Sequence, residues 1–158
     1  MNKTPSEKKS QTRAQQQLIF AADRVQRVAS KGEDVKNIYG GMCHKFPVLV
    51  RTCGLCQAIV FLEAKKASAN ADRKQAHTLL LEHLGELIHE IDPQASSNVV
   101  EAIRTADTLT YIRYTRQILA AWIYFKRFAV SILEIDNGQI EEDNRPRAIG
   151  QEGQVHGS

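Results

Sequence analysis

Apolar and polar residues recur along most of the chain with the period of an α-helix. Between Gln11 and Ser30 the apolar positions fall on one face at about 100° per residue, the spacing of an amphipathic helix. A similar period runs from Thr108 to Leu133, the most apolar stretch. No segment shows the sustained alternation that is typical of strands. The pattern therefore predicts an all-α fold, a compact single-domain bundle of five or six helices.

Glycine and proline mark the expected helix ends. Gly32 stops the first helix, Gly54 marks a joint, and Pro93 ends the long fourth helix. Pro47 is expected to begin or kink a turn, because it lacks an amide proton. The predicted helices cover residues 11–30, 33–45, 55–66, 69–91, 96–106 (capped by serines) and 108–133.

Composition places the chain among soluble single-domain proteins. It has 158 residues, of which 42% are hydrophobic and 25% charged. The longest apolar run, 118–125, has eight residues, against roughly 18 for a membrane span. The N-terminus lacks the apolar block of a secretory signal, and three cysteines, an odd number, favour free thiols in a reducing cytoplasm. We expect a cytoplasmic protein without membrane contact.

Charge is distributed unevenly along the chain. From Glu134 onward there are six acidic and two basic residues, while the preceding 133 residues carry a net charge of +7. A basic body with an acidic tail is expected of a protein that binds polyanions, although cytosolic proteins with modest positive charge and no such ligand are also common. The expected organisation is a flexible N-terminus at 1–10, a helical bundle at 11–134 and a disordered acidic tail at 135–158.

Basic residues gather on the polar faces of two helices. On the last helix they are Arg113, Arg116 and Arg127, opposite an apolar stripe of Ile118, Trp122, Phe125, Ala129 and Ile132. On the first helix they are Arg13, Arg24, Arg27 and Lys31, with Phe20 in their midst and Leu18 on the apolar face. Such strips attract phosphates, and an aromatic among them can stack a base. Each strip alone also fits an ordinary solvated helix face.

The stretch from Tyr39 to Ile59 concentrates irregular residues, including every cysteine. Cys53 and Cys56 form a CxxC pair, which with Cys43 and His44 offers four zinc ligands. The βαβ pattern of a redox CxxC is missing, and free cysteines commonly fill close helix contacts. Packing is therefore favoured over metal binding, and no metal or other cofactor is predicted.

No catalytic set is apparent in the sequence. Glu86 and His89 form an ExxH element, but the second copy that a di-iron bundle needs is absent. Glu82, Glu86 and Glu90 follow one another at four-residue spacing, typical of a solvated acidic face or a partner contact. No Ser-His-Asp set or phosphate loop occurs. We predict that the protein is not an enzyme.

Two blocks of sequence resemble a known family. The first runs from Tyr39-Gly40 through His44-Lys45-Phe46-Pro47-Val48-Leu49-Val50-Arg51-Thr52 to Phe61-Leu62-Glu63, and the second from Tyr111-Ile112-Arg113 through Trp122 to Lys126-Arg127-Phe128-Ala129. They resemble the small helical subunit of type III-B CRISPR-Cas effector complexes, the Cmr family. Cys53 and Cys56 depart from its usual small residues, which also favours packing over metal binding.

The resemblance implies a non-catalytic subunit that assembles in several copies in antiviral defence. Its expected partners are other Cmr effector subunits, including the backbone subunit, its own copies, the CRISPR RNA and the single-stranded target RNA. Expected contacts with RNA come from the basic residues Lys45, Arg51, Arg113, Arg116, Lys126, Arg127, Arg24 and Arg27. Expected structural or contact residues are Tyr39, His44, Pro47, Gln57 and Trp122.

Two other hypotheses remain open from the residues alone. One is a helical protein-protein adaptor without RNA contact, whose arginines meet acidic surfaces such as Glu82, Glu86 and Glu90 of another copy. The other is a metal-binding helical protein that uses Cys43, His44, Cys53 and Cys56.

Overall fold

The computed structural model describes residues 10–135 as a bundle of six helices, which confirms the all-α prediction. The helices are α1 (Arg13–Ala29), α2 (Glu33–Cys53), α3 (Leu55–Lys66), α4 (Ala71–Ile91), α5 (Val99–Thr105) and α6 (Thr108–Leu133). The flexible N-terminus and the acidic tail predicted from the sequence lie outside the described residues, apart from Ser10 and Ile135.

Polar side chains cap the starts of four of the six described helices, α1, α4, α5 and α6. Thr12 caps α1 in a reciprocal capping box with Gln15, and the side chain of Asp107 caps α6. The predicted start of α5 at Ser96 is wrong: the side chain of Asn98 accepts from Glu101 N, so the helix begins at Val99. Ser96 instead accepts a hydrogen bond from the amide of Asn98, which holds the loop before the cap.

The core lies where α2, α4 and α6 meet. Helix α1 packs chiefly on α6, and α3 covers α4 and α2. Trp122 and Phe125 stack with ring centroids 4.4 Å apart, and the ring centroids of Phe46 and Trp122 are 4.8 Å apart. Tyr39 of α2 reaches His83 of α4, with Tyr39 Oη and His83 Nδ1 hydrogen-bonded at 2.8 Å. The aromatic residues therefore tie α2 to both neighbouring central helices.

Helix α2 runs through Pro47, so the predicted separation of 33–45 from a new turn at Pro47 is wrong. Proline has no N–H, which leaves the carbonyl of Cys43, four residues earlier, without its helical donor. The indole Nε1–H of Trp122 donates to that buried carbonyl at 3.1 Å. The lost backbone hydrogen bond is thus replaced from α6, and α2 continues to Cys53.

The C-terminal end of α6 turns back onto α2. Glu134 has φ 56°, the left-handed conformation common just after a helix. The turn buries Ile135, 5% exposed, directly against Gly40 of α2: a Cβ on Gly40 would lie 1.6 Å from Ile135 Cδ1. The packed bundle therefore extends one residue past the predicted boundary at 134.

Two side chains on α1 face the opposite way from the prediction. Phe20 is buried and meets Phe125 edge-on, with ring centroids 6.3 Å apart. Leu18, expected on the apolar face, is 43% exposed. Phe20 therefore belongs to the core and is not available to stack a base from an outer strip.

Candidate nucleic-acid interface

An open groove runs between α2 and α6, with a volume of about 450 Å³. We call it the α2–α6 groove. Its lining residues are His44, Pro47, Arg51, Leu119, Ile123, Lys126, Arg127 and Val130. His44, Pro47 and Arg51 lie three and four positions apart, which places them along one face of α2. The uninterrupted path of α2 through Pro47 thus sets His44 and Arg51 against the same part of α6.

The groove is basic. Arg51 and Arg127 are exposed and Lys126 is half-buried. Within residues 10–135 these three side chains form no ion pair, and no aspartate or glutamate lines the groove. Cationic side chains that have no carboxylate partner within the protein attract anions from solution. The structure therefore brings together three of the residues predicted to contact RNA.

Two predicted RNA-contacting arginines on α1 are engaged with carboxylates. Arg24, with 16% of its side chain exposed, pairs with both Asp23 and Glu86, and its guanidinium also lies over the Phe20 ring. Arg27 pairs with Asp23 at 3.0 Å. Arg24 therefore joins α1 to α4 across the bundle, and its charge is compensated within the protein.

Arg113 and Arg116 lie nearer the start of α6. Arg113 Nη2 donates to Asp92 Oδ2 at 3.0 Å, although half of its side chain is exposed. The same carboxylate accepts from Tyr114 Oη at 2.8 Å, and these bonds lower the pKa of Asp92, that from Tyr114 most. Arg116 is exposed and forms no ion pair with the described part of the chain. Arg116 thus adds an exposed cation on α6, whereas the charge of Arg113 is compensated by Asp92.

The remaining predicted contact residues have different positions. Lys45 is half-buried and does not line the groove. Gln57 is exposed on α3. Tyr39 and Trp122 are fully buried, and Pro47 is buried at the base of the groove. Of the predicted structural or contact residues, His44 and Pro47 therefore line the α2–α6 groove.

His44 is held in place by its own helix. Its Nδ1–H donates to the carbonyl oxygen of Gly40 at 3.0 Å. That bond leaves Nε2 as the ring nitrogen available toward the α2–α6 groove. A half-buried imidazole fixed in this way presents Nε2 as an acceptor, which can take a hydrogen bond from a ribose hydroxyl with little further loss of rotamer freedom.

The cysteines do not come together as a metal site. Cys43 is buried, and burial raises the pKa of its thiol well above the usual range. Cys53 and Cys56 are exposed, so the prediction that they fill spaces inside the bundle is wrong for these two. Among residues 10–135, no three His, Cys, Asp or Glu side chains are grouped so that they could hold a metal ion.

Sequence reasoning missed the apolar wall of the groove. Leu119, Ile123 and Val130 line it beside Lys126 and Arg127, and Ile123 is 50% exposed. Helical periodicity could have revealed this wall, because these three residues fall on a side of α6 adjacent to the stripe that packs in the core. The groove is therefore mixed in character, with cations along an apolar surface.

Within the part of the chain described, no helix is long and apolar enough to cross a membrane.

Comparisons with known proteins agree with the architecture. The family model described as CRISPR-associated protein (Cas_Cmr5) matches residues 13–132. The chain is similar to the CRISPR system Cmr subunit Cmr5 of Thermus thermophilus, with 38% identity over 123 residues that cover 78% of this chain and 97% of the relative.

A solved structure supports the same relationship. It is the crystal structure of a CRISPR-associated Cmr5 family protein, also from Thermus thermophilus, and it matches with a TM-score of 0.62 and 32% identity. The match covers 78% of this chain and 98% of that chain. Because the family match extends from the first residue of α1 into the last turn of α6, the resemblance seen in the sequence is confirmed and the chain belongs to the Cas_Cmr5 family of CRISPR-associated proteins.

Proposed function

We propose that the protein is a non-catalytic subunit of a type III-B CRISPR effector complex, the Cmr complex, and that its α2–α6 groove holds the sugar-phosphate backbone of the guide or target RNA. Family membership supports the assembly, since the Thermus thermophilus relative is named as a subunit of the Cmr system. By holding RNA alongside the other subunits, the protein stabilises the RNA-bound complex in antiviral defence.

The observation that carries the RNA-binding part is the uncompensated charge of the groove. Arg51 from α2 and Lys126 and Arg127 from α6 face one channel that no carboxylate of residues 10–135 lines. On α1, by contrast, Arg24 and Arg27 are both neutralised by acidic partners. A polyanion is therefore attracted to the α2–α6 side of the bundle.

The chemistry of the groove fits the RNA backbone better than its bases. Arginine and lysine contact phosphate oxygens without reading sequence, while sequence choice in guided systems comes from base pairing. The apolar wall of Leu119, Ile123 and Val130 offers packing for ribose carbons but no hydrogen bonds for base edges. The expected binding is therefore independent of RNA sequence.

The test is the salt dependence of RNA binding. Three phosphate contacts give a slope of log K against log salt of about −2 for single-stranded RNA. The variant Arg51→Ala/Lys126→Ala/Arg127→Ala should bring the slope for a 20-nucleotide RNA close to zero, measured by fluorescence anisotropy between roughly 20 and 200 mM salt. An unchanged slope would refute a role of the groove.

A matched control removes the same charge elsewhere. Lys65, Arg73 and Lys74 are exposed on α3 and α4, away from the α2–α6 groove. Their replacement by alanine changes the net charge by the same three units, so any effect of overall charge appears in both variants. The slope of this control should stay near that of the parent protein.

A second candidate function, a protein-protein adaptor, is favoured by apolar residues on the outer side of α6. Leu109 is 78% exposed and Ile112 is 40% exposed, which RNA phosphates do not require. Under this alternative, Leu109→Ser/Ile112→Ser should abolish co-purification with the other Cmr subunits, and the groove variant should have no effect on RNA held by the assembled complex.

A further inference from the structure

The chain leaves the described bundle at one end of the α2–α6 groove. Ile135 is the last described residue and packs on Gly40 of α2. Gly40 lies one helical turn before His44, and His44, Pro47 and Arg51 continue along the same face of α2. The last described residue therefore lies about one helical turn beyond the His44 end of the groove.

The groove is within reach of a short segment. From Gly40 to Arg51 is 11 positions along α2, or about 17 Å at the helical rise. The six residues from Ile135 to Glu141 span up to about 20 Å when extended. An acidic group at 141 can thus stand beside Arg51 or any cation closer to Gly40 without displacing Ile135.

The composition of this segment complements the groove. Residues 136–143, DNGQIEED, contain four acidic residues and no basic one. They also contain Ile140, immediately before Glu141-Glu142-Asp143. The groove offers the counterpart of each: the cations Arg51, Lys126 and Arg127, and the apolar wall of Leu119, Ile123 and Val130. Its lack of a carboxylate lining among residues 10–135 leaves these cations to an acidic ligand.

We propose that the acidic segment 136–143 of the same chain occupies the α2–α6 groove in the RNA-free protein and is displaced when RNA binds. The competition with RNA rests on the function proposed above, whereas the docking of the segment does not. The segment acts as an internal polyanion. It blocks the groove against weakly binding anions and is displaced by RNA that is bound within the assembled complex.

The size of the effect follows from competition. If the segment occupies the groove in about nine-tenths of the molecules, RNA binds about tenfold more weakly than to a groove that is always open. Tethering favours this occupancy, because short flexible linkers give effective concentrations in the millimolar range. Since both ligands are anionic, salt weakens them together and the tenfold difference shrinks as the salt concentration rises.

Docking is tested without RNA by zero-length cross-linking of the full chain. A carbodiimide joins a carboxylate to a lysine amine as an amide, with loss of water to the reagent, only when the two groups touch. We expect peptide mass spectrometry to find Lys126 joined to Glu141, Glu142 or Asp143. Lys126→Arg keeps the charge but removes the amine, so it should abolish this product and confirm its assignment.

Competition is tested by RNA affinity in the full chain. Glu141→Gln/Glu142→Gln/Asp143→Asn should tighten binding of a 20-nucleotide RNA about tenfold at low salt and less at high salt. The control Glu82→Gln/Glu90→Gln/Glu152→Gln removes the same number of charges, at two exposed positions of α4 and one distant position of the sequence. It should change the affinity by less than about twofold, as expected for a general charge effect alone.

The outcomes separate this proposal from the proposed function. If Lys126 forms no cross-link to residues 141–143 and the acidic variant binds RNA like its control, the docked segment is refuted, even if the groove binds RNA. If the cross-link forms but neither the acidic variant nor the groove variant alters RNA binding, docking is upheld and the proposed RNA-binding function fails.

Discussion

The hydrogen bond between Trp122 and Cys43 leads to a prediction about how α2 tolerates Pro47. Trp122→Phe removes the indole N–H that donates to this buried carbonyl. It also removes ring packing, but that loss is the same in every background. An unsatisfied buried carbonyl costs about 1–3 kcal/mol. In Pro47→Ala the amide of residue 47 donates to the same carbonyl, so the cost of losing the indole N–H should largely vanish.

The coupling is read from a double-mutant cycle. We expect Trp122→Phe to lower the free energy of unfolding by about 1–2 kcal/mol more in the parent protein than in Pro47→Ala. Urea unfolding followed by circular dichroism measures both, provided that the slope with urea is equal in all four proteins.

A control and a refuting result follow from the position of Val48. Its side chain is 57% exposed on the same turn of α2, so Val48→Ala alters the helix without supplying a donor. Trp122→Phe should lower the free energy of unfolding by the same amount with and without Val48→Ala. If the cost of Trp122→Phe is also the same, within about 0.3 kcal/mol, in Pro47→Ala, then the indole does not replace the missing amide.

Three further predictions concern stability. Gly85→Ala should lower the free energy of unfolding by about 2 kcal/mol or more, because its Cβ would lie 1.9 Å from the backbone oxygen of Ser97. Gly41→Ala, where a Cβ meets nothing within 4 Å, should instead raise the free energy of unfolding by about 0.5–1 kcal/mol. Urea unfolding of both variants tests these expectations, and equal effects of the two substitutions would contradict the difference in packing. Burial lowers the pKa of His83 to about 4, so between pH 6.5 and 4 the unfolded chain binds this proton and the folded chain does not. The free energy of unfolding should therefore fall by about 3 kcal/mol as the pH is lowered through this range, and His83→Gln should remove that loss. Matching pH profiles of the two proteins would disprove the role of His83.

Much of the architecture could be predicted from the sequence because local signals fixed it. The last helix was predicted at the bounds observed for α6, and Gly54, with φ 85°, separates α2 from α3 as expected. The prediction failed at Pro47 because the missing hydrogen bond is supplied by Trp122, on another helix. A local pattern carries no information about such a donor.

The candidate site was predicted in part for the same reason. Arg127 follows from helical periodicity, and Lys126 and Arg51 from the matched sequence blocks, and all three line the groove. Arg24 has an equally exposed position on a helical wheel, but its partner Glu86 comes from α4, so only the packing of the helices reveals the pairing. Long-range ion pairs therefore decide which cations of the described bundle lack a carboxylate partner.

The three cysteine thiols differ in solvent exposure, so their rates of chemical modification can report on opening of the helical bundle. Cys43 is enclosed in the bundle, whereas Cys53 and Cys56 stand in solvent at the corner between α2 and α3. A maleimide pulse should label Cys53 and Cys56 at once, and Cys43 only at the rate at which the bundle transiently opens. Two modified sites thus mark the folded bundle, and modification of the third records its opening. The effect of an added ligand or partner on that opening can therefore be timed with the natural sequence.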